Sequence, residues 1–196
     1  CLNCSHVWNH LFDWKNVPYG NKPNKMFNRG ATWKDHLSDL SSWLSKSLPS
    51  EPTIVDIGCG DGSFLDSMAN SYQGKGRFLG YDPSGDVSVD ETSIEFYKSL
   101  FEPSDHLMEV QPDLILMRHV VEHLEVPSTF LHSLALASSE VEKPVYLYCE
   151  VPCIDRVFDT KRLADFYYEH PSQFTSESFN HLLSSAGEIV SIHHSY

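Results

Sequence analysis

Short runs of apolar residues alternate along the chain with stretches in which apolar residues recur at helical spacing. Most of the runs are continuous rather than alternating in hydrophobicity, which is typical of strands buried on both faces of a parallel sheet. Helical spacing predicts helices over Ser63–Asn70, Ser128–Ser138 and residues 176–186. The alternation predicts an α/β fold with a doubly wound, mostly parallel sheet. The predicted strands are Thr53–Ile57, Arg77–Tyr81, Ser93–Tyr97, Asp113–Met117, Val145–Val151 and Glu188–His193.

The predicted helix over residues 176–186 has the clearest start and stop signals. Thr175 is a suitable N-cap, and Gly187 is suited to end the helix. Phe174 and Phe179 are spaced to form a hydrophobic staple across the cap. We therefore expect this helix to pack on the sheet through the stripe formed by Phe179, Leu182, Leu183 and Ala186.

The first 48 residues differ from the rest in being polar and rich in Asn, Trp and Lys, with a helical stretch around Trp33–Leu48. We predict a mainly helical or irregular extension over residues 1–48 and an α/β domain over residues 49–196. The extension has too many aromatic residues for a disordered tail, so we expect it to dock over the ligand crevice. These aromatic residues are Trp8, Phe12, Trp14, Tyr19, Phe27, Trp33 and Trp43.

Charge and cysteine usage narrow the functional class. The 196-residue chain has a formal net charge of −13, which argues against a nucleic-acid partner because phosphate binding needs a basic surface. No apolar run approaches the ~20 residues that span a bilayer, and the first residues lack the features of a signal peptide. The five cysteines, an odd number, predict reduced thiols and a cytoplasmic protein.

Residues 54–62 read IVDIGCGDG and place three glycines at alternate positions directly after a predicted strand. Gly58, Gly60 and Gly62 are suited to positive φ angles and allow another molecule to approach the main chain closely. In an open α/β sheet, the turn from the first strand to the first helix lies at the edge where ligands bind. The spacing differs from the G-x-G-x-x-G fingerprint of dinucleotide-binding proteins.

Acidic residues in and around this turn indicate the kind of ligand. Asp56 precedes the glycines and Asp61 interrupts them, which makes the turn a poor cradle for phosphate groups. Asp82 stands 20 residues after Gly62, at the end of the second predicted strand, where a carboxylate grips ribose hydroxyls. These features favour a nucleoside that carries a positive charge and no phosphate. The alternative is a strand–turn–helix unit whose glycines serve only a tight turn.

S-adenosylmethionine is a nucleoside of this kind, and IVDIGCGDG together with GYDPS resembles the class I S-adenosylmethionine-dependent methyltransferases. The resemblance implies a Rossmann-like domain, methyl transfer as the activity and S-adenosylmethionine as the cofactor. It also implies that Arg118 and His119 line the cofactor through their main chain, and that Phe101 packs the adenine ring unless it belongs to the core. The other cofactor-binding residues that it implies are Asp56, Gly58, Cys59, Gly60, Asp61, Gly62 and Asp82.

Later segments resemble a smaller group, the deoxysugar C-methyltransferases. DLILMRHVVEHLEVPSTFL contains an E-H-L-x-x-P pattern, and DFYYEHPSQFTSESFNHLLSSAG contains Y-x-E-H followed by a Leu-Leu-x-x-Ala-Gly helix. The resemblance implies a small-molecule acceptor, namely a nucleotide-linked sugar that is methylated on carbon. The first residues, CLNCSHVWN, resemble half of that group's zinc-binding module. A zinc site of this type needs four ligands, and because only one C-x-x-C pair is visible we predict no metal requirement.

The YYEH segment offers candidate catalytic groups. Methylation of carbon requires that a proton be removed first, by a base whose pKa lies near the operating pH. His170 suits that task, with Glu169 to hold its tautomer and Tyr167 to steady the developing enolate. The resemblance implies that His123 faces the acceptor. The alternative is that the segment merely packs a loop and that His123 is a satisfied residue at a helix start.

Residues 119–123 read HVVEH, which also matches the H-x-x-E-H signature of inverted zinc peptidases. That signature needs a long helix, whereas a predicted strand runs directly into His119, so we expect this histidine to lie in a loop. Besides a C-methyltransferase, the sequence therefore allows an O- or N-methyltransferase of another small metabolite. It also allows a non-catalytic domain that binds S-adenosylmethionine or a partner.

Overall fold

Residues 1–17, 30–84, 93–162, 166 and 169–195 are described by the structure, a computed structural model. Within these ranges the strands are β1 (Val7–Trp8), β2 (Thr53–Ile57), β3 (Arg77–Tyr81), β4 (Glu95–Tyr97), β5 (Leu114–Arg118), β6 (Tyr146–Glu150) and β7 (Ser172–Gln173). Five of them form one parallel sheet in the order β4-β3-β2-β5-β6. The other two, β1 and β7, pair with each other in antiparallel fashion.

The parallel strands end level with one another at their carboxyl ends. Ile57 of β2 pairs with Tyr81 of β3, and Arg118 of β5 pairs with Glu150 of β6. The residues that follow β2, β3 and β5 therefore emerge at the same edge of the sheet. This is the edge at which open α/β sheets bind their ligands.

Helices cover both faces of the sheet, which confirms the predicted doubly wound α/β fold. The helices are α1 (Ala31–Leu44), α2 (Ser63–Ser71), α3 (Pro103–Val110), α4 (Pro127–Ser138), α5 (Ile154–Thr160) and α6 (Ser176–Ser184), with 3-10 turns at Trp14–Asn16, Ser45–Ser47 and Val121–His123. The face that carries Val55 packs against α3, α4 and α6, and the face that carries Ile54 packs against α1 and α2. The sequence pattern does not predict helices α3 and α5.

The strand predicted at Glu188–His193 is wrong, because residues 188–195 have no regular secondary structure. A short β-branched run becomes a strand only when a neighbour completes its ladder of hydrogen bonds. In the described part of the chain β6 pairs with β5 alone, and residues 188–193 pair with no strand. Val190 is 78% exposed as a result.

Helix α6 begins as the sequence predicts. The hydroxyl of Thr175 accepts a hydrogen bond from the N–H of Ser178, and the Ser178 hydroxyl accepts one from the N–H of Thr175, which forms a capping box. The rings of Phe174 and Phe179 lie 5.5 Å apart across this cap, as expected for the staple. The helix ends at Ser184, two residues before the predicted end, and the Ser184 hydroxyl donates back to the carbonyl of Asn180.

The N-terminal segment contacts the α/β domain at two places. Strand β1 pairs with β7, which follows the YYEH segment in the chain. Helix α1 buries Leu40 and Leu44 in the same hydrophobic cluster as Ile54 of β2 and Phe64 of α2. The division at residue 48 remains a prediction. Among the described residues, no helix combines the length and the apolar character that a membrane crossing requires.

Candidate functional site

The turn after β2 contains three glycines in a left-handed conformation. Gly58, Gly60 and Gly62 have φ angles of +73°, +58° and +72°, which other residues adopt only at a cost. The N–H of Gly58 donates to the carbonyl of Tyr81 at 2.7 Å and ties the turn to β3. A Cβ atom at Gly58 would collide with the side chain of Val120, whereas one at Gly60 would meet no atom within 4 Å. The backbone at Gly60 is therefore open to a ligand.

Asp82 braces this turn from the end of β3. Its Oδ2 accepts a hydrogen bond from the N–H of Gly60 at 2.9 Å. Its Oδ1 accepts two bonds of 2.8 Å from the N–H and the hydroxyl of Ser84. A carboxylate offers about four lone-pair positions, so the buried carboxylate of Asp82 retains capacity for a ligand hydroxyl.

The other polar residues of the turn have different environments. Asp56 is buried, and burial raises its pKa to about 7 although the charge of Arg118 acts in the opposite direction. Burial, followed by the charge of Asp56, raises the pKa of the Cys59 thiol well above its usual range. Cys59 is therefore not a nucleophile at neutral pH. Asp61 is exposed, and its Oδ1 accepts a hydrogen bond of 3.0 Å from the N–H of Ser63 at the start of α2.

Phe101 lies in the core beside the end of β3. Its side chain is 3% exposed, and its ring packs edge-on against Tyr81 at 5.0 Å between centroids. The ring of His106 lies 5.1 Å away on another side. Because Tyr81 directly precedes Asp82, the packing of Phe101 on Tyr81 helps to fix the end of β3 from the core side.

Arg118 ends β5 with its guanidinium between two aromatic rings. Its Cζ atom lies 4.4 Å from the ring centroid of Phe64 on α2 and 5.3 Å from that of Trp33 on α1. Both contacts have cation–π geometry. Its Nε donates to Oε2 of Glu150 at 3.1 Å. Helix α1 thus closes over the sheet edge where β5 and β6 end.

Glu150, the last residue of β6, gathers three basic side chains. Besides Arg118, Nε2 of His36 lies 3.1 Å from Oε1 of Glu150, and Nε2 of His119 lies 3.7 Å from the same oxygen. Burial alone would raise the pKa of Glu150, but the contacts and charges of His119 and Arg118 lower it to about 2. Glu150 is therefore ionised at neutral pH.

His119 follows β5 in a left-handed conformation with φ +55°. Its N–H donates to the carbonyl of Glu150 at 2.8 Å, and its Nδ1 lies 3.4 Å from Oε1 of Glu122. Burial alone would lower the pKa of His119, but its contacts with the carboxylates of Glu122 and Glu150 raise it to about 9. His119 is therefore a largely buried cation held between two carboxylates.

His123 and His170 form a pair at the same edge. Their rings lie 4.6 Å apart between centroids and are nearly perpendicular, at 84°. Nδ1 of His123 lies 2.9 Å from the carbonyl oxygen of Glu169. Because a carbonyl oxygen only accepts, Nδ1 of His123 must carry the proton, which leaves Nε2 as an acceptor in the neutral ring.

His170 is buried and only 9% exposed. Burial lowers its pKa to about 4, and the positive charge of a protonated His123 acts in the same direction. The ring is therefore neutral at neutral pH, with one nitrogen able to accept a proton.

Glu122 completes this group from the 3-10 turn Val121–His123. Its side chain is almost fully buried, at 1% exposure. Ligand atoms of Glu122, His123 and His170 all lie within 4.8 Å of one another. A cavity of about 1210 Å³ is lined by Glu122, His170, His119 and Glu150 and extends along β6.

The sequence model of a methyltransferase domain matches residues 28–189. The chain belongs to this methyltransferase family. It is accordingly an enzyme that transfers a methyl group, and its cofactor is S-adenosylmethionine. No curated protein matches the chain at a significant level.

Solved structures support the methyltransferase fold. A S-adenosylmethionine-dependent methyltransferase from Archaeoglobus fulgidus aligns with a TM-score of 0.57 at 19% identity, over 81% of this chain and 70% of its own. The magnesium protoporphyrin IX methyltransferase of Synechocystis PCC 6803, solved with S-adenosylhomocysteine, gives 0.52 at 17% identity, over 80% and 73%. The plantazolicin methyltransferase, also with S-adenosylhomocysteine, gives 0.56 at 19% identity, over 80% and 65%.

The residues at the carboxyl edge of this methyltransferase fit the cofactor. The open backbone at Gly60 gives close access to the main chain, and the remaining lone pair of Asp82 suits a ribose hydroxyl. The two buried carboxyl groups of Asp56 and Asp82 suit a ligand that carries a positive charge better than one that carries phosphate. The individual roles of these residues remain predictions.

The HVVEH stretch of the methyltransferase does not form the helix that a zinc peptidase requires. His119 has a positive φ, and residues Val121–His123 form only a 3-10 turn. The two histidines therefore do not share one face of a helix. The expectation that His119 lies in a loop is met, and the peptidase interpretation fails on this geometry.

The predicted catalytic residues are brought together in part. His123 and His170 are neighbours, and residue 169 contacts His123 through its main chain. Tyr167 lies outside the described residues. From the sequence alone Glu122 has no predicted role in the methyltransferase, because its burial and its neighbours are visible only in the folded chain.

Metal-ligand types occur together in the described residues at Glu122, His123 and His170. The absence of a metal requirement remains a prediction. The five cysteines form no disulfide, and Cys1 is exposed while Cys4 is partly buried.

Proposed function

We propose that the enzyme methylates a carbon atom of a small-molecule acceptor, a nucleotide-linked deoxysugar, after His170 removes a proton from that carbon. The cofactor, when bound at the glycine turn, supplies an electrophilic methyl group. The observation that carries the proposal is the contact between the partly buried ring of His123 and the buried ring of His170 at the ligand edge of the sheet. The similarity of the Y-x-E-H segment to deoxysugar C-methyltransferases supports the acceptor class.

The chain's own residues have separate tasks in this proposal. The C–H bond of the acceptor breaks, its electron pair stays on carbon, and the proton moves to a ring nitrogen of His170. His123, fixed by its bond to the carbonyl of Glu169, offers Nε2 to a hydroxyl of the acceptor. Tyr167 steadies the enolate oxygen. Burial in the cavity excludes water, and holding both reactants in place supplies much of the rate.

The low pKa of His170 restricts the acceptor. A ring with a pKa of about 4 is uncharged at neutral pH, so one of its nitrogens can accept a proton, but the ring is a weak base. The proton that it removes must therefore come from a carbon already acidified by a neighbouring carbonyl group. A keto-sugar meets this condition, whereas an unactivated carbon does not.

The same low pKa favours a second candidate, a methyltransferase that acts on oxygen or nitrogen of another small metabolite. An amine that reacts in its neutral form needs no strong base, and an acidic hydroxyl needs only a weak one. In that case His170 would orient the acceptor instead of taking a proton from carbon.

Hydrogen exchange tests the carbon proposal directly. Sugar nucleotides are screened with isotopically labelled S-adenosylmethionine, and NMR locates the new methyl group. The acceptor found is then incubated in D₂O without the methyl donor. We expect the wild type to exchange the reacting C–H proton and His170→Asn to do so about 10²–10⁴-fold more slowly, the usual contribution of a general base.

The matched control is His132→Asn, because His132 is an exposed histidine on α4. It should exchange the proton at the wild-type rate. Exchange by His170→Asn at the wild-type rate would show that the base is another group. A new methyl group found on oxygen or nitrogen would select the second candidate.

A further inference from the structure

The carboxyl group of Glu122 lies in the protein interior, where burial of a charged group destabilises the fold. The side chain is 1% exposed, and within the described residues neither of its oxygens accepts a hydrogen bond of good geometry. Burial of a charged group costs stability unless nearby charges or hydrogen bonds compensate. The residue therefore requires an explanation beyond packing.

Three histidines lie close to the carboxylate of Glu122. Nδ1 of His119 approaches Oε1 of Glu122 to 3.4 Å, close enough for attraction between charges but long for a hydrogen bond. Ligand atoms of His123, His170 and Glu122 all lie within 4.8 Å of one another. Burial raises the pKa of the Cys149 thiol on β6 to about 12, and the charge of Glu122 acts in the same direction.

Glu169, the acid next to His170 in the sequence, places its main-chain oxygen 2.9 Å from Nδ1 of His123. Glu122 faces the histidine pair with its carboxylate. A negative charge near a ring favours the protonated form of that ring. Consistent with this geometry, the charge of Glu122 opposes the lowering of the pKa of His170.

We propose that Glu122 is a positioning residue that stabilises the imidazolium formed when His170 accepts the acceptor's proton. The inference rests on the proposed role of His170 as the base and names the carboxylate that supports it. The proton moves from carbon to a ring nitrogen of His170, and Glu122 acts through its charge without taking part in the transfer. His119 is a cation whose Nδ1 lies 3.4 Å from the same carboxylate.

The same three side chains are also of the types that bind a divalent metal ion, with two histidines and one carboxylate. The cationic His119 beside Glu122 argues against this occupant, because it already balances the carboxylate and repels a second cation. Addition of cobalt(II), described below, tests metal binding as the alternative.

The decisive measurement is an NMR titration of His170 in the absence of acceptor, which does not depend on the reaction being carbon methylation. Glu122→Gln keeps the shape of the side chain and removes its charge. We expect the pKa of His170 to fall by about one unit in this variant, the effect of losing a nearby opposite charge. The groups that also face Glu122 are His119, His123 and Cys149, so His119 and His123 are titrated in the same spectra.

Glu125→Gln is the control, because Glu125 is exposed and only three residues away. It should leave the pKa of His170 unchanged. A shift of His119 in Glu122→Gln without any shift of His170 would overturn the proposal, since Glu122 would then only balance His119. If Glu122→Gln does not fold, Glu122→Met replaces it, because Met also removes the charge at similar volume. The pKa of His170 should again fall, and an unchanged pKa of His170 would overturn the proposal.

Two further measurements separate the outcomes. In the deuterium exchange assay we expect Glu122→Gln to lower the rate about tenfold or more at neutral pH while the affinity for S-adenosylmethionine is unchanged. If no acceptor exchanges with the wild type, the carbon proposal fails while the titration still tests the pair. Cobalt(II) added to the wild type should give no visible absorption bands, and bands that disappear in Glu122→Gln would replace the proposal with a metal site.

Discussion

Asp82 accepts a hydrogen bond of 2.9 Å from the N–H of Gly60, so the carboxylate at the end of β3 holds the glycine turn at the end of β2. The same carboxylate has one lone pair left for a ligand. Its removal should therefore affect both the shape of the turn and the contact with the cofactor's ribose.

We expect Asp82→Ala to lower the affinity for S-adenosylmethionine at least about tenfold, because hydrogen bonds to a charged group contribute about 1.5–3 kcal/mol. Isothermal titration calorimetry with the cofactor and with its demethylated product measures this. Glu140→Ala, which removes an exposed acid, should bind as the wild type does. Unchanged affinity in Asp82→Ala would mean that the ribose lies elsewhere.

Gly58 and Gly60 have similar φ angles but different surroundings, so alanine should destabilise them unequally. Gly60→Ala meets only the cost of a left-handed conformation, about 1–2 kcal/mol in the free energy of unfolding. Gly58→Ala adds a collision with Val120, for a total of about 2–5 kcal/mol. Chemical denaturation compares the two, and Gly58→Ala/Val120→Ala should lose less than the sum of its single changes. Equal effects of the two single variants would contradict the close packing at Gly58.

The raised pKa of His119 makes part of the stability dependent on pH. Its pKa is about 9 in the folded protein against 6.5 in the unfolded chain. Because the folded state binds this proton more tightly, the stabilisation is complete below pH 6.5 and is lost as the pH rises through 9. Its full value is up to about 3 kcal/mol.

The comparison variant is His119→Asn, because Asn tolerates the left-handed backbone at this position. Between pH 6.5 and 9 the wild type should lose stability relative to this variant in urea denaturation. Parallel curves would mean that His119 does not carry the buried charge. The difference between the two proteins also removes the contribution of Asp56, whose folded pKa of about 7 affects both equally.

Trp33 should matter more to cofactor binding than its exposure suggests. Its ring covers the guanidinium of Arg118, and this contact joins α1 to the ligand edge. Loss of a cation–π contact of about 0.5–2 kcal/mol should weaken cofactor affinity severalfold in Trp33→Ala. Trp43→Ala removes an equally large ring from the same helix, where it packs on Tyr148 and His193, and should bind the cofactor normally. Equal effects would argue against a lid role for α1.

The elements that were predictable from sequence are those whose signal is local. Strand β2 (Thr53–Ile57) is a β-branched run that ends in glycines, and Thr175 begins α6 with a capping box, so their own residues suffice. Residues 188–193 have the same apolar character but lack a pairing partner in the described chain. Strand character in that case depends on a neighbour that the sequence pattern does not reveal.

For the site, the glycine turn and Asp82 were predictable because spacing alone places them at one edge of the sheet. The environment of His119 and His170 was not predictable from the sequence. The pKa of His170 depends on burial by residues distant in the chain, and the charge of His119 depends on Glu150 from another strand. Glu122 became a candidate only when its burial and its neighbours were known.

The pairing of Val7 and Trp8 with Gln173 and Ser172 joins the N-terminal segment to the residues immediately beyond His170. The N–H of Asn9 adds a hydrogen bond of 2.8 Å to the carbonyl of Pro171. Contacts between residues so distant in sequence close late, because a long loop must first lose its entropy. A folding molecule should therefore pass through a stage in which the glycine turn is already formed and the surroundings of His170 are not. This intermediate would bind S-adenosylmethionine but would not transfer its methyl group. During refolding, a burst phase of cofactor binding should therefore precede the recovery of turnover.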